Sequence, residues 1–168
     1  MQHQSYTELI MNGEVQSILD ECDVELNTIS IWIEKNKFDT FVRFLVRYAV
    51  IKACGSIERA FKLMLYTKLA NNCSEETKIF LQKQILDSPV NPSTGKIQKF
   101  FEKINSDWNR IFFESVKETD KGNLNSLVNL RNDFAHGAAI NSPISSVLEY
   151  YNSGKVILGF IDEILTGK

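Results

Sequence analysis

The segment from about Asp39 to Asn71 constrains the fold most, because it has the length of a long helix and is apolar nearly all round. Asp39 is a good N-cap for this helix. Its apolar side chains do not keep to one face: Phe41, Phe44, Leu45, Tyr48, Val50, Ile51, Ile57, Phe61, Met64, Leu65 and Leu69. A helix of this kind is usually central, or is shared between the core and a subunit interface. The segment therefore predicts a bundle of helices built around it.

Helical spacing of apolar residues continues through most of the chain, whereas the alternation typical of strands is almost absent. Further helices are predicted at about residues 5–11, 15–36, 74–86, 96–104 and 107–118, along the segment that ends at Gly137, and from Pro143 onward. Asp87–Thr94 is predicted to be a loop, Thr119–Asn123 a turn, and Ser153-Gly154 a bend in the last helix. The predicted fold class is all-α. One domain, residues 1–168, forms a mostly antiparallel bundle with two long N-terminal helices and a long C-terminal helix.

Overall charge limits how the chain can bind nucleic acid. The 168 residues carry a formal net charge of −2, and the sequence pI is about 5.7. This balance argues against a broad basic surface that grips nucleic acid by bulk electrostatics. Any contact with RNA must therefore rest on a local group of charges. Arg43 and Arg47, four residues apart, are candidates for a phosphate-binding strip or, alternatively, for ion pairs at a solvated edge.

The cysteines and the N-terminus bear on location. Cysteine is odd in number and widely spaced, with no C-x-x-C pair: Cys22, Cys54 and Cys73. This pattern indicates reduced thiols in the cytoplasm, with neither a disulfide framework nor a zinc site. The polar N-terminus does not resemble a signal peptide. The most apolar run, Phe41 to Ile51, is broken by Arg43 and Arg47, so no membrane span and no membrane partner are expected.

The segment Leu127–Gly137 brings two phosphate-competent side chains close together. Its apolar spacing is that of the last turns of a helix, with Gly137 as the C-cap. At about 100° per residue, Arg131 projects from the middle of the apolar stripe, where a charge needs an anion or an interface. Asn132 and His136, four residues apart, are expected to stack at the edge of that stripe. His136 also meets the negative helix end, which favours a protonated imidazole.

An always-charged guanidinium and a titratable ring at one helix end suit the handling of a phosphodiester. Other chemistries find no support in the sequence, which has no Gly-rich phosphate loop, no nucleophile elbow and no acidic metal cluster. We therefore expect neither a metal nor a cofactor.

Arg131-Asn132-Asp133-Phe134-Ala135-His136-Gly137 resembles the R-x(4–6)-H signature of the HEPN superfamily, and its Ala-His-Gly ending looks most like the subgroup that includes the RiboL-PSP-HEPN domains. The resemblance implies a metal-independent endoribonuclease. His136 would be the general base or acid near the 2′-hydroxyl, and Arg131 would hold the scissile phosphate. Asn132 matches the polar first spacer residue and would orient His136 or bind phosphate. The resemblance also implies a homodimer with a composite active site, and a toxin or phage-defence role under an antitoxin or regulatory partner.

Several residue-level interpretations remain open from the sequence. Arg131 can instead bond a carboxylate within the bundle while His136 only caps the helix, and Asn132 can be a surface amide. Glu58, on the apolar second helix, is a candidate to pair with Arg131 and hold its guanidinium in place. The alternative for Glu58 is an ordinary intrahelical pair with Lys62. Gly55, also on the second helix, is expected to let another helix approach closely.

The function of the whole chain has alternatives as well. The chain can be a non-catalytic HEPN module that binds a nucleotide or a partner protein, and the acidic pI favours this class. It can also be a purely structural dimerisation bundle, in which side chains fill the cleft at the motif. The intact Arg–His pair favours the enzyme.

Overall fold

Helices account for the regular structure of the computed structural model, which describes residues 13–89, 91–138 and 141–167 and has no strand among them. The elements in chain order are α1 (Gly13–Lys35), α2 (Val42–Ala70), α3 (Glu75–Leu81) with a π-helical continuation (Gln82–Leu86), α4 (Thr94–Ile104), α5 (Ser106–Ser115), α6 (Glu118–Ala135) and α7 (Ile144–Thr166). The all-α prediction is confirmed, including the two long N-terminal helices and the long C-terminal helix. The helix predicted at about residues 5–11 lies outside the described residues.

Helix α2 lies at the centre of the bundle. It packs against α1, α6 and α7, and also against α3 and the π-helical segment. Ala49, Ala53 and Ala60 are fully buried on its inner side, where small side chains let neighbouring helices approach. They belong to a hydrophobic cluster that takes residues from α1, α2, α4, α5, α6 and α7. The central position expected for the all-round apolar segment is therefore observed.

The start of α6 differs from the prediction. The helix begins at Glu118, so Thr119–Asn123, predicted to be a turn, is helical and that prediction is wrong. The physical reason is the burial of Lys121, whose side chain lies inside the bundle. Its Nζ atom donates to the Phe113 carbonyl at 2.9 Å and to the Glu118 carboxylate at 2.8 Å. The chain turns earlier, at Val116, which is extended and 3% exposed.

Gly154 marks a close approach between α7 and α2. A β-carbon there would lie 2.9 Å from Cδ1 of Ile57 and 3.6 Å from Cδ1 of Leu124. Helix α7 continues without a break through Ser153 and Gly154, and the glycine allows close packing at this point. Gly55, expected to admit a neighbouring helix, is exposed and has open space where a β-carbon would lie. Within the protomer that expectation is wrong, because Gly55 faces away from the core.

Gly154→Ala is expected to destabilise the fold relative to Gly159→Ala by about 1–3 kcal/mol, because the added methyl overpacks a filled contact. Both substitutions replace a glycine within α7 and gain the same helix propensity, roughly 1 kcal/mol. Nothing lies within 4 Å of a β-carbon at Gly159, which makes it the matched control. Urea unfolding followed by circular dichroism measures the difference. Equal free energies of unfolding for the two variants would show that Ile57 yields without cost.

Polar contacts join outward-facing side chains of α2 to α1. Lys52 Nζ donates to the carboxylates of Glu21 and Glu25 at 2.6 Å and 2.7 Å, and the Tyr48 hydroxyl donates to Glu25 at 2.5 Å. The bonds to Glu21 and Glu25 raise the pKa of Lys52, and the bonds from Lys52 and Tyr48 lower the pKa of Glu25. These groups hold Tyr48 at the border between α1 and the exposed side of α2.

None of the described helices combines the length and the apolar character needed to cross a bilayer. The cysteines are all free thiols, with Cys22 and Cys54 buried and Cys73 partly exposed. Burial raises the pKa of the Cys22 thiol, which Ser56 and Tyr151 contact through hydrogen bonds. The buried thiols therefore belong to the packing of the bundle.

Candidate active site at the end of helix α6

The end of α6 is fixed by a backbone motif around Gly137. The Ala138 N–H donates to the Asp133 carbonyl at 2.9 Å, and the Gly137 N–H donates to the Phe134 carbonyl at 2.9 Å. Gly137 has a φ of +81°, the left-handed conformation that this Schellman pattern needs and that glycine adopts without strain. The predicted glycine cap is therefore observed. It fixes the backbone of His136, the C-cap residue that directly follows Ala135, the last residue of α6.

His136 is exposed at this helix end. Its backbone N–H donates to the Asn132 carbonyl at 3.0 Å, so the main chain is held in place. In the described parts of the chain, neither ring nitrogen of His136 takes part in a hydrogen bond or an ion pair. The cap uses only the backbone of His136. The imidazole is therefore available to a ligand.

Arg131 is exposed, which corrects the expectation that it lies within the apolar stripe. It is in helical register with Leu124 and Leu127, both 0% exposed, but no residue of α6 after Val128 is fully buried. The apolar row emerges from the bundle before it reaches Arg131. Its Nη1 atom donates to Oδ1 of Asn132 at 3.3 Å, and no carboxylate of the described residues pairs with it.

Asn132 is held from two sides. Its Oδ1 atom accepts from Arg131 and also from Nδ2 of Asn91, at 3.2 Å. Asn91 lies in the loop before α4, and its own Oδ1 is buried without a hydrogen-bond partner. Within the described residues no hydrogen bond joins Asn132 to the ring of His136. Asn91 was not predicted as a site residue, because the sequence shows only that it lies in a predicted loop.

Helix α2 packs against α6, and its buried Cys54 thiol is affected by the charge of Arg131. Burial raises the pKa of the Cys54 thiol to about 11, while the charge of Arg131 acts to lower it and that of Glu58 acts to raise it. Both charges therefore act on the same buried thiol. The Glu58 carboxylate bonds Nζ of Lys62 at 2.6 Å, and among the described residues it forms no ion pair with Arg131. Of the two interpretations of Glu58, the intrahelical pair is the one observed.

Arg47 of α2 also reaches the end of α6, whereas Arg43 does not. Cζ of Arg47 lies 5.5 Å from the centroid of the Phe134 ring, and its Nε is buried with no hydrogen-bond partner. Cζ of Arg43 lies 4.8 Å from the centroid of Phe44, its neighbour on the same helix. Neither arginine forms an ion pair with any described residue, so the expected pairing at a solvated edge is not found. Of the two candidates for a phosphate-binding strip, only Arg47 therefore points toward the motif helix.

The comparison with protein families gives one match. The family model described as RiboL-PSP-HEPN matches residues 16–167. The chain belongs to the RiboL-PSP-HEPN family. The matched range of this HEPN chain includes α2, the loop with Asn91 and the whole segment from Arg131 to Gly137. No curated protein and no solved structure matches the chain.

The chemical groups of the candidate site are a guanidinium, an imidazole and two carboxamides. In residues 13–89, 91–138 and 141–167, no three side chains of His, Cys, Asp or Glu lie close enough to hold a metal ion together. The groups that do meet here donate hydrogen bonds or exchange protons. Such groups bind oxyanions, and phosphate is the oxyanion for which a guanidinium has the best geometry.

Proposed function

We propose that this protein is a metal-independent endoribonuclease of the HEPN type, with Arg131 and His136 as its catalytic residues. The observation that supports the proposal most is the state of Arg131. The chain has 21 acidic residues, yet the guanidinium is exposed and pairs with none of those that the structure describes. His136, at the same helix end, is exposed as well. A guanidinium without a carboxylate partner and an imidazole without a hydrogen-bond partner among the residues described, both at the same helix end, are suited to bind a phosphodiester.

The reaction needs only a base, an acid and charge stabilisation. His136 takes the proton of the 2′-hydroxyl, and the 2′-oxygen forms a bond to the adjacent phosphorus. The bond between phosphorus and the 5′-oxygen breaks, and the leaving oxygen receives a proton from a second imidazole. Arg131 donates two N–H bonds to the non-bridging oxygens, where negative charge develops. The products carry a 2′,3′-cyclic phosphate and a 5′-hydroxyl, and imidazole exchanges protons near neutral pH as this scheme requires.

Asn132 has a supporting role in this proposal. Its Oδ1 accepts from Arg131 and from Asn91, so it orients the guanidinium and not the imidazole. Glu58 enters only as a negative charge near Arg131, because its carboxylate already bonds Lys62. Both residues therefore act on the position and the electrostatics of Arg131.

A homodimer is part of the proposal, and α2 offers a surface for it. We use the name α2 stripe for the exposed residues Phe41, Phe44, Tyr48, Ile51 and Gly55. The four large side chains are between 44% and 64% exposed. Large apolar side chains grouped on a surface often mark an interface. Open space at Gly55 would let a second backbone approach closely.

The α2 stripe is on the same helix as residues that approach the motif. Arg47 and Cys54, which precede Tyr48 and Gly55, lie against Phe134 and close to Arg131 respectively. A second copy packed on the stripe about a two-fold axis would therefore lie next to the end of α6. Two copies of the Arg–His pair could then share one cleft, and the second copy would supply the second imidazole. The second half of the stripe also lines a pocket of about 290 Å³ that can receive a partner side chain.

A second candidate function is a non-catalytic module that binds a nucleotide or a partner protein. The net charge of −2 and the pI of about 5.7 favour it, because an enzyme that acts on bulk RNA gains affinity from positive charge. The two candidates differ in one measurable result. The module binds a phosphate-bearing ligand without cutting RNA.

The proposed cellular role is that of a toxin or phage-defence effector in the cytoplasm, acting as one domain over residues 1–168. An antitoxin or regulatory protein would inhibit its activity. The resemblance of the motif to the HEPN signature supports this role.

The wild-type protein is expected to cut RNA in excess EDTA at the rate seen in magnesium buffer, because both catalytic groups are side chains. The assay uses single-stranded and structured RNA, and mass spectrometry of the products identifies the termini. Cyclic phosphates support 2′-hydroxyl attack. Activity that EDTA removes and magnesium restores would contradict the proposal. Binding of RNA without any cleavage would make the non-catalytic module the leading candidate.

A further inference from the structure

Arg47 lies on the central helix, yet its charged group rests against the motif helix. Its Cζ atom is 5.5 Å from the centroid of the Phe134 ring, within the range of a cation–π contact. Phe134 follows Arg131 by three residues, so the two positions are neighbours on the surface of α6, with β-carbons about 5–6 Å apart in such a pair. The ring therefore carries a second guanidinium alongside the one proposed for catalysis.

The hydrogen bonds of Arg47 are incomplete in the protomer. Its Nε is buried and has no partner, and no ion pair joins it to a described carboxylate. Native structures rarely leave a buried donor or a partly buried charge without an acceptor. Asn91, the residue that bonds Asn132, has a buried Oδ1 in the same condition. Arg47 as a whole is only half-buried and its guanidinium has no carboxylate partner among the described residues, so a polar ligand can supply acceptors to its other N–H groups.

We propose that Arg47 binds the phosphate next to the scissile one and so extends the site along a single strand of RNA. This inference rests on the proposed function, because it takes the position of Arg131 as that of the scissile phosphate. Arg47 lies against Phe134, whose position neighbours that of Arg131 on α6, so the two guanidinium groups can bind consecutive phosphates, which repeat along one strand at short intervals. Stacking on Phe134 orients the planar group before the RNA arrives, and this reduces the entropy lost on binding.

The experiment measures RNA binding in the His136→Ala background, so that no substrate is consumed. Affinity for a short labelled single-stranded RNA is measured by fluorescence anisotropy over a range of salt concentrations. Adding Arg47→Met keeps an apolar stem on Phe134 and removes the charge. We expect about tenfold weaker binding and a salt slope smaller by about 0.7, the value for one lost phosphate contact on a single strand. Arg47→Lys keeps the charge and should keep the salt slope.

Arg43→Met is the matched control, because Arg43 lies on the same helix but stacks on Phe44. It should leave both affinity and slope unchanged, and circular dichroism confirms folding of every variant. Unchanged affinity and slope for Arg47→Met would overturn the inference, as would an equal loss of slope in Arg47→Lys. Wild type that fails to cleave RNA defeats the nuclease but leaves these binding results decisive for Arg47. Absence of any RNA binding defeats both.

Discussion

RNA cleavage is expected to fall by about 10²–10⁴-fold when His136 is replaced by alanine, because general acid–base catalysis contributes a factor of that size. Arg131→Ala should cause a comparable loss, since one preorganised donor to a developing oxyanion is worth about 10²–10³-fold. Each loss should appear in kcat, because both groups act most strongly on the transition state. Initial rates on one RNA, measured in EDTA at several substrate concentrations, provide the numbers.

Matched controls come from the chain itself. His3→Ala removes the only other histidine. Arg110→Ala removes an exposed arginine on α5 that already pairs with Asp107 and Glu114. Both controls should cut RNA at the wild-type rate, and circular dichroism should show all variants folded. Cleavage that persists in folded His136→Ala and Arg131→Ala would assign the activity to a contaminant or to another site.

Ile51→Glu is expected to convert the proposed homodimer into monomers and to reduce cleavage about as far as the loss of a catalytic residue. Ile51 lies in the α2 stripe and is 44% exposed in the protomer. In a two-fold dimer the substitution would bury two like charges, each at a cost of several kcal/mol. Every 1.4 kcal/mol corresponds to roughly a tenfold change in the dissociation constant. Because the proposed site needs both copies of the motif, separated subunits lack the second imidazole.

Sedimentation equilibrium and activity should be measured on the same samples over a range of concentrations. Val24→Glu serves as control, because Val24 is 67% exposed on α1 and lies outside the stripe. It should leave both mass and rate at wild-type values. A fully active monomer would contradict the composite site, and a dimer that survives Ile51→Glu would move the interface to another face of the bundle.

Local sequence was sufficient for the helices and for the end of the motif helix. Helical spacing and the absence of alternation predicted the all-α fold, which the structure and the family match both agree with. Gly137 was predicted to cap the motif helix and has the left-handed φ of +81° that this role requires. These features depend on residues within one or two turns of each other, so a linear sequence contains the information.

Burial at single positions was not predicted with the same success. Lys121 was placed in a turn but lies inside the bundle at 7% exposure. Arg131 was placed within the apolar stripe but is exposed, although its helical register is that of Leu127. Exposure depends on which other helices cover a position. The length over which α6 is covered cannot be read from its own residues.

The sequence by itself determined the helical class, the all-round apolar α2 and the local Arg–His motif that identified the family. The tertiary structure alone decided which side chains meet at that motif. Asn91 bonds Asn132 from 41 residues away, and Arg47 stacks on Phe134 from another helix. It also decided that Gly154, and not Gly55, is the glycine at a close approach inside the protomer. Such contacts form between segments distant in the chain, and the packing of α2 against α6 and α7 brings them together.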